Sequence, residues 1–134
     1  MSMNIGAYGE LAFAAEATKH GLAISFPFDD NLPFDLLAYN GTRIHRIQVK
    51  TTLHYDQSQD RYKVRSMKRI NERRMPYEDG DADFLCVFVG DKSWYVIPFD
   101  LIIGRGSVNL YPHRKSAGRF EMYRDAWNLL LEEK

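Results

Sequence analysis

The sequence predicts an α/β fold of the α+β layered type, in which a helix is followed by several strands and then by a second helix. Residues 4–20 are rich in alanine, residues 33–52 contain two strand-like runs around an Asn-Gly pair, and residues 83–89 form a continuous apolar run of strand length. A chain of 134 residues with 45% hydrophobic content suits one core, so we expect a single domain over residues 1–134.

The first predicted element is a helix over residues 4–20. Asn4 is a suitable N-cap, and Gly21 follows where a helix commonly ends. Gly9 costs the helix about 1 kcal/mol relative to alanine, which indicates a close approach to another segment. The stripe expected to face the core consists of Ile5, Tyr8, Leu11, Ala12 and Ala15.

Glu10 lies in an apolar row of this helix. Its neighbours at i+3, i+4 and i+7 are Phe13, Ala14 and Ala17. A carboxylate in such a row requires a partner. Two interpretations stay open: Glu10 belongs to a functional site, or it is simply a good helix former at the edge of the stripe.

A first strand is predicted at residues 22–28, and residues 33–52 (PFDLLAYNGTRIHRIQVKTT) are predicted to form a β-hairpin. An Asn-Gly pair favours a two-residue turn, because both turn positions require positive φ. With the turn at 40–41, Tyr39 would lie opposite Thr42, and Asp35 would lie opposite Arg46.

The predicted hairpin has one polar and one apolar face, because side chains alternate along a strand. The polar face would carry Asp35, Arg46, Gln48 and Lys50. A carboxylate and an amide within about 7–8 Å of each other on one surface suit a metal site. The solvated side of an ordinary antiparallel sheet has the same pattern and stays an alternative. The core face would carry Phe34, Leu36, Ala38, Ile47 and Val49.

The rest of the chain is predicted to hold further strands and a C-terminal helix. The segment 66–80 has a weak pattern that fits a short helix or a loop, and Pro76 excludes a long helix there. Gly104 to Ser107 lacks the signature of a phosphate-binding loop and is interpreted as a turn. Strands are predicted at 62–65, 83–89, 94–97 and 108–111, one helical turn at 99–103, and a helix at 119–133 whose stripe is Phe120, Tyr123, Trp127, Leu130 and Leu131.

The charge distribution is uneven although the chain is neutral, with 18 basic and 18 acidic residues. Residues 61–74 hold seven Lys and Arg against one Glu. This pattern indicates a polyanionic partner, with a solvated charged face as the alternative. The candidates for phosphate contacts are Lys63, Arg65, Lys68, Arg69, Arg73 and Arg74, with Arg114, Lys115 and Arg119 nearer the C-terminus.

Other kinds of site have weaker support. The lone Cys86 excludes a disulfide within the chain, and Asp81 and Asp83 are interpreted as turn residues, with metal contact as an alternative. No apolar run approaches the roughly 18 residues of a membrane span and no signal peptide is evident, so we expect a cytoplasmic protein without a membrane partner. The histidines lack the spacing of a zinc site: His20, His45, His54 and His113.

The ordered set of Gly9-Glu10 on a helix, Pro33-Phe34-Asp35 before a strand and Gln48-Val49-Lys50 on the next strand resembles the PD-(D/E)XK nuclease superfamily. The resemblance implies a restriction-endonuclease-like core and a metal-dependent DNA endonuclease. The glutamine in place of the usual acid is similar to a subgroup of intron-encoded homing endonucleases, with archaeal Holliday-junction resolvases as more distant relatives. Homing-type and junction-resolving specificity both stay open.

The resemblance also implies the roles of the site residues. Glu10, Asp35, Gln48 and Lys50 would be catalytic. Mg²⁺, with Mn²⁺ as an alternative, would bind Asp35, the Gln48 amide oxygen and the Val49 carbonyl, with Glu10 binding through water. Lys50 would orient the attacking water. A homodimer or homotetramer is expected, because one active site cuts one strand.

Two alternatives to this enzyme remain. Gln48 removes one negative charge from the metal site and should weaken metal affinity, so the chain could be a nuclease-fold module that binds DNA or a protein partner without cleavage. The other alternative is a small-molecule or structural role, in which the polar face of the hairpin is only solvated.

Overall fold

The computed structural model describes residues 1–114 and 118–132. Lys115, one of the predicted phosphate contacts, lies outside the described residues. In the described part of the chain, no helix combines the length and apolar character that a membrane crossing requires. The elements are α1 (Ile5–Lys19), β1 (Ala23–Ser25), β2 (Leu36–Tyr39), β3 (Ile44–Thr52), β4 (Tyr62–Arg65), β5 (Met67–Ile70), β6 (Arg73–Pro76), β7 (Phe84–Val89), β8 (Trp94–Pro98), β9 (Ser107–Leu110) and α2 (Asn128–Leu131), with 3₁₀ turns at Phe99–Leu101 and Glu121–Tyr123.

Five strands form a mixed sheet in the order β1-β2-β3-β7-β8. β3 and β7 are parallel, whereas the other neighbouring strands are antiparallel. Two smaller sheets pair β4 with β9 and β5 with β6. The predicted α+β fold is confirmed, and so are the strands β4, β7, β8 and β9 and the helical turn after β8.

The core lies on both faces of the five-stranded sheet. One cluster packs α1 against the sheet and includes Phe13, Ile47 and Cys86. The other packs the β4–β9 pair against the opposite face and includes Val64 and Leu85. Successive residues of β7 alternate between the clusters, which explains why this strand is a continuous apolar run in the sequence.

The N-terminus of α1 agrees with the prediction, but the buried face does not. Asn4 is the N-cap, and its Oδ1 accepts a hydrogen bond from the Ala7 N–H at 3.1 Å. The buried residues are Gly9, Phe13 and Ala17, one turn apart. The predicted stripe is wrong for its three largest members, which are exposed: Ile5, Tyr8 and Leu11.

Gly9 sets the buried face of α1, because it brings the helix backbone against β3. A Cβ atom at Gly9 would lie 1.8 Å from Thr51 Oγ1 and 3.1 Å from Thr51 Cβ. The close approach predicted from this glycine is therefore confirmed. Because Gly9 faces the sheet, Phe13 and Ala17, one and two turns further along the helix, face it too. The large side chains of Ile5, Tyr8 and Leu11 are left exposed to solvent.

The β2–β3 hairpin forms as predicted, but its connection is longer. Tyr39 pairs with Ile44 and not with Thr42, so the four residues 40–43 join the strands. The predicted two-residue turn is therefore wrong, and the register differs by two residues from the expected one.

Asn40 explains the longer connection. Its Oδ1 accepts hydrogen bonds from the N–H groups of Thr42 and Arg43, at 2.9 and 2.8 Å. Its Nδ2 donates to the carbonyl oxygens of Leu130 and Glu132, at 3.0 and 2.9 Å. The side chain thus organises the loop and attaches it to the C-terminal segment.

The change of register keeps the predicted faces, because a shift of two residues preserves the alternation of side chains. Leu36 pairs with Ile47, and extension by one residue sets Asp35 opposite Gln48. The predicted opposition of Asp35 and Arg46 is wrong. Phe34 also departs from its predicted place, since it precedes β2 and packs with the cluster on the β4–β9 side. The other predicted core residues of the hairpin are buried: Leu36, Ala38, Ile47 and Val49.

The segment with a weak sequence pattern forms the β5–β6 hairpin. Ile70 pairs with Arg73, so Asn71 and Glu72 form a two-residue turn, with φ of 49° and 64°. The two-residue turn with positive φ at both positions, which was predicted at Asn40-Gly41, therefore occurs at Asn71-Glu72 instead. The sequence analysis missed it, because glutamate rarely takes the second position of such a turn.

The C-terminal helix predicted over residues 119–133 is wrong for most of its length. Asp125 has a φ of 54°, and its N–H donates to the Trp94 carbonyl at 2.7 Å. Phe120 packs on the β4–β9 side of the sheet, whereas Trp127 packs on the α1 side. The chain passes around the edge strand β8 between them, and a continuous helix cannot follow that path.

We expect a Gly9→Ala substitution to lower the free energy of unfolding by about 1–3 kcal/mol, because the new methyl group overlaps Thr51. Urea unfolding of the purified variant measures the change. Gly6→Ala is the matched control in the same helix, since a Cβ there meets only Asn4 Oδ1 at 3.6 Å. Equal stability of the two variants would contradict the close approach.

Candidate active site

The polar face of β2 and β3 borders a pocket of about 720 Å³. Asp35, Gln48 and Lys50 all line it, as the alternation along the two strands predicted. The loop 30–33 and the β5–β6 hairpin supply the other walls. Three of the four residues predicted to be catalytic are thus brought together.

Asp35 is fixed by the strand next to it. Its N–H donates to the Ile47 carbonyl at 2.8 Å, and its Oδ2 accepts from the Val49 N–H at 2.9 Å. Burial raises the pKa of the Asp35 carboxyl, while the bond from Val49 and the charge of Lys50 act in the opposite direction. The ionised carboxylate is therefore held in surroundings that favour a nearby cation.

Gln48 places its amide beside the main chain of the same strand. Its Nε2 lies 3.5 Å from the Val49 carbonyl oxygen, at the limit of a hydrogen bond. Rotation of the amide by half a turn would direct Oε1 toward that carbonyl. Two oxygen acceptors that face each other repel, and a cation bound between them would remove that repulsion.

Lys50 is half-buried and connects the pocket to the β5–β6 hairpin. Its Nζ donates to the Met67 carbonyl at 3.3 Å and lies 5.9 Å from the centroid of the Tyr77 ring. Burial lowers the pKa of Lys50, Asp35 opposes that effect, and Arg74 adds to it. The Lys50 ammonium is therefore held in position, and it loses its proton more easily than the ammonium of an exposed lysine.

Glu10 approaches from α1 and does not line the pocket itself. Burial raises the pKa of its carboxyl, and the negative charge of Asp35 raises it further. Glu10 therefore lies close enough to Asp35 for the two charges to interact. Two neighbouring carboxylates of this kind are stabilised by a shared cation.

Arg46 has a structural partner, Asp83, just before the neighbouring strand β7. Its Nε lies 3.2 Å from Asp83 Oδ2, and its second terminal nitrogen lies 3.1 Å from Asp83 Oδ1. The Arg46 N–H also donates to Asp83 Oδ2, at 2.7 Å. This pair attaches the start of β7 to β3.

Asp81 lines the pocket and holds the base of the β5–β6 hairpin. Its Oδ2 lies 2.8 Å from Lys68 Nζ and accepts from the Glu78 N–H at 2.9 Å. The Lys68 side chain is only 10% exposed. Lys68, predicted as a phosphate contact, is thus engaged in an ion pair beside the pocket.

The other predicted phosphate contacts fall into three groups. Arg69, Arg73 and Arg74 are exposed on the β5–β6 hairpin, and Lys63 and Arg65 are exposed on β4. The third group lies apart from the first pocket: Arg114 and Arg119 line a second pocket, and Arg114 also pairs with Asp60 at 3.2 Å.

The donors at the first pocket suit a hard cation. Among residues 1–114 and 118–132, no three His, Cys, Asp or Glu side chains come together as a metal-binding group. The available donors are instead the Asp35 carboxylate and an amide oxygen of Gln48, with the Val49 carbonyl beside that amide and the Glu10 carboxylate nearby on α1. A cation that binds oxygen and keeps several waters, such as Mg²⁺, fits such a set.

The sequence analysis missed Tyr77 as a residue of this pocket. Its hydroxyl is buried and has no hydrogen-bond partner in the described part of the chain. No sequence signal could have found it, because it follows Pro76 in the segment whose pattern was weak. Only the folding of the β5–β6 hairpin against β3 brings it beside Lys50.

Comparisons with known proteins agree with this geometry. A family model described as PD-(D/E)XK endonuclease matches residues 2–130. Among solved structures, the chain is similar to that of a bacterial homing endonuclease, I-Ssp6803I, with a TM-score of 0.82 and 28% sequence identity. The similarity covers 95% of this chain and 90% of that chain. A comparison with curated proteins finds no match.

We expect Asp35→Asn to raise the melting temperature at pH 7 in EDTA by about 2–5 °C, the shift typical of about 1 kcal/mol in a chain of this size. A carboxyl whose pKa is raised on folding destabilises the folded state where it is ionised, and asparagine keeps an acceptor for the Val49 N–H. The gain should shrink as the pH falls toward about 4 and disappear only at about pH 3, below the ordinary pKa of an aspartate, where the carboxyl is protonated in both the folded and the unfolded state.

Thermal melts of the wild type and the variant over this pH range provide the measurement. Asp30→Asn is the matched control, because Asp30 is an exposed residue at the rim of the same pocket. A lower melting temperature of Asp35→Asn at pH 7 would show that burial is not the dominant influence on Asp35.

Proposed function

Because the chain belongs to the PD-(D/E)XK endonuclease family, we propose that it is a DNA endonuclease that hydrolyses phosphodiester bonds with a divalent metal ion at the Asp35 pocket. One observation carries the proposal. Asp35, Gln48 and Lys50 converge on a single pocket, and a basic hairpin forms one of its walls. The nuclease chemistry and the surface for a polyanion therefore occur at the same place.

The ion-binding residues would be Asp35, Gln48 and Val49, with Glu10 acting directly or through a water molecule. Mg²⁺ is the expected ion, with Mn²⁺ as an alternative. When bound, the ion polarises a phosphodiester oxygen and lowers the pKa of the attacking water. The raised pKa values of Asp35 and Glu10 support a shared cation, because a positive charge between the carboxylates would relieve their burial and their repulsion.

Lys50 would orient the attacking water and stabilise the negative charge that develops on the phosphate. Its ammonium already lies in the pocket, where the Met67 carbonyl and the Tyr77 ring restrict it. A group held in this way loses little freedom when substrate binds, which is the physical advantage of a preorganised site.

DNA is the proposed substrate, and the β5–β6 hairpin is its main proposed contact. Arg69 pairs directly with Arg74 across the hairpin. Like charges at directly opposed positions destabilise a hairpin, and a bound phosphate backbone removes that repulsion. We favour homing-type over junction-resolving specificity, because the similar solved structure is that of a homing endonuclease and the similarity covers most of both chains.

A homodimer or homotetramer is part of this proposal, since one pocket cuts one strand. The exposed side of α1 offers a surface for a second copy of the chain. Ile5, Tyr8 and Leu11 follow one another at intervals of three residues along the helix and are 46%, 43% and 65% exposed. Contiguous apolar patches of this kind are typical of protein contact sites.

A second candidate function is DNA binding without cleavage. Gln48 stands where the family usually has an acid, which removes one negative charge from the ion site. This lost charge favours a weaker ion site.

We expect the wild type to cleave DNA with Mg²⁺ or Mn²⁺ and not in EDTA, and we expect Asp35→Ala and Lys50→Ala each to lower the rate by at least about 100-fold. The substrates are a four-way junction, a supercoiled plasmid and a plasmid pool with randomised inserts. The plasmid pool is included so that an enzyme with a narrow sequence specificity also finds a site that it can cut. Gel analysis of single-turnover reactions measures the rates.

The matched controls are Asp100→Ala and Lys19→Ala, which remove the same charges from exposed positions outside the pocket. Cleavage that survives Asp35→Ala would contradict the assigned site. Tight binding by the wild type without cleavage of any substrate would favour the binding module. A preference for the junction over the plasmids would reverse the proposed specificity.

We expect Arg69→Ala and Arg74→Ala each to weaken DNA binding and to reduce the slope of log Kd against log salt concentration by about 1. Each substitution removes one cation from the hairpin beside the pocket. Fluorescence anisotropy with a labelled duplex in EDTA measures the slope. Lys19→Ala, on α1, should leave the slope unchanged, and equal slopes for all four proteins would exclude the hairpin as the DNA contact.

A further inference from the structure

Tyr77 is a buried polar residue that the proposed reaction does not yet use. The residue is 2% exposed and lines the same pocket as Asp35 and Lys50. Its hydroxyl has no hydrogen-bond partner among the described residues. A buried hydroxyl without a partner is unfavourable, and such groups commonly mark a functional site. Its partner is therefore expected to be a group that enters the pocket.

The ring of Tyr77 is held in place by packing. It makes an edge-to-face contact with Phe99, with the ring centroids 4.9 Å apart, and belongs to the cluster on the β4–β9 side of the sheet. Lys50 Nζ lies over the ring, at 5.9 Å from the centroid. The hydroxyl is thus positioned by the core and not by a flexible loop.

The Tyr77 hydroxyl can act only as a neutral hydrogen-bond donor or acceptor near neutral pH. Burial, followed by the negative charges of Asp35 and Asp81, raises the pKa of the phenol far above its usual value. It therefore keeps its proton and cannot serve as a base. A neutral donor beside the Lys50 ammonium complements a negatively charged oxygen.

We propose that Tyr77 is a further substrate-contacting residue, whose hydroxyl donates a hydrogen bond to a non-bridging oxygen of the phosphodiester bound beside Lys50. This inference rests on the proposed nuclease function. The hydroxyl is shielded from solvent, so the contact requires the adjacent wall of the pocket, the β5–β6 hairpin, to shift when the phosphodiester binds. Donors in such surroundings stabilise developing negative charge more strongly than donors in water.

Tyr77→Phe is the first test, because it removes the oxygen and keeps the ring that packs on Phe99. We expect the single-turnover cleavage rate to fall by about 10- to 100-fold, the loss typical of one hydrogen bond to a charged group. The melting temperature should not fall, since the removed hydroxyl has no partner in the described chain. Tyr62→Phe is the matched control in the same core cluster, outside the pocket, and should keep the wild-type rate.

A second measurement does not depend on cleavage. In protein labelled with ¹³C at the ζ carbon of tyrosine, the Tyr77 resonance is the one absent from Tyr77→Phe. We expect this resonance to shift when duplex DNA is added in EDTA, because the phenolic oxygen gains a hydrogen bond. The Tyr62 resonance, assigned in the same way, should not move.

The two measurements separate the possible failures. A slower Tyr77→Phe enzyme together with a shifted resonance supports the contact, and an unchanged rate overturns it. A slower enzyme whose Tyr77 resonance does not respond to DNA also overturns it, since Tyr77 would then act through structure alone. If the wild type cleaves nothing, the proposed function fails, and the resonance alone decides whether Tyr77 touches DNA.

Discussion

One hydrogen bond, from the Val49 N–H to the Asp35 carboxylate at 2.9 Å, determines how the pocket is built. It fixes Asp35 against β3 and sets it on the side of the sheet that carries Gln48 and Lys50. It also uses a main-chain donor whose position depends on the pairing of β3 with β2 and β7. The geometry of the site therefore follows from the geometry of the central strand. On that strand, Ile47 and Val49 fill the core, while the alternate residues Gln48 and Lys50 reach the pocket.

The pocket concentrates charges that burial makes unfavourable. Burial raises the pKa of Asp35 and of Glu10 and lowers that of Lys50, and the Tyr77 hydroxyl is left without a partner in the described chain. Each of these groups would be more stable elsewhere or with a ligand. Under the proposed function, a bound cation and phosphate would relieve these unfavourable charges, so the protein without ligand would be less stable for the sake of activity, which is a common relation between the two.

The β5–β6 hairpin joins the pocket to the surface that we propose for DNA. Two interactions hold its base: Lys68 pairs with Asp81 at 2.8 Å, and Lys50 donates to the Met67 carbonyl at 3.3 Å. In its outer part Arg69 pairs with Arg74, and the whole hairpin is a two-stranded sheet separate from the other two sheets. An isolated two-stranded hairpin with opposed cations is marginally stable by itself. In the proposed complex a phosphate backbone would supply the charge that the hairpin lacks, and substrate binding would be coupled to ordering of this wall.

The sequence by itself determined the first helix and the strands of the central sheet, the polar and apolar faces of the hairpin and the set Asp35, Gln48 and Lys50, because alternation along a strand is local and survives a shift of two residues. It also identified the family through the order of these residues. Only the tertiary structure decided the hairpin register, the buried face of α1 and the path of residues 119–132. Those features depend on distant contacts: Asn40 with the carbonyl of Leu130, Gly9 with Thr51, and a C-terminal segment that must cover both faces of one sheet. Local patterns report that a side chain is buried, but they do not report which of two covered faces buries it.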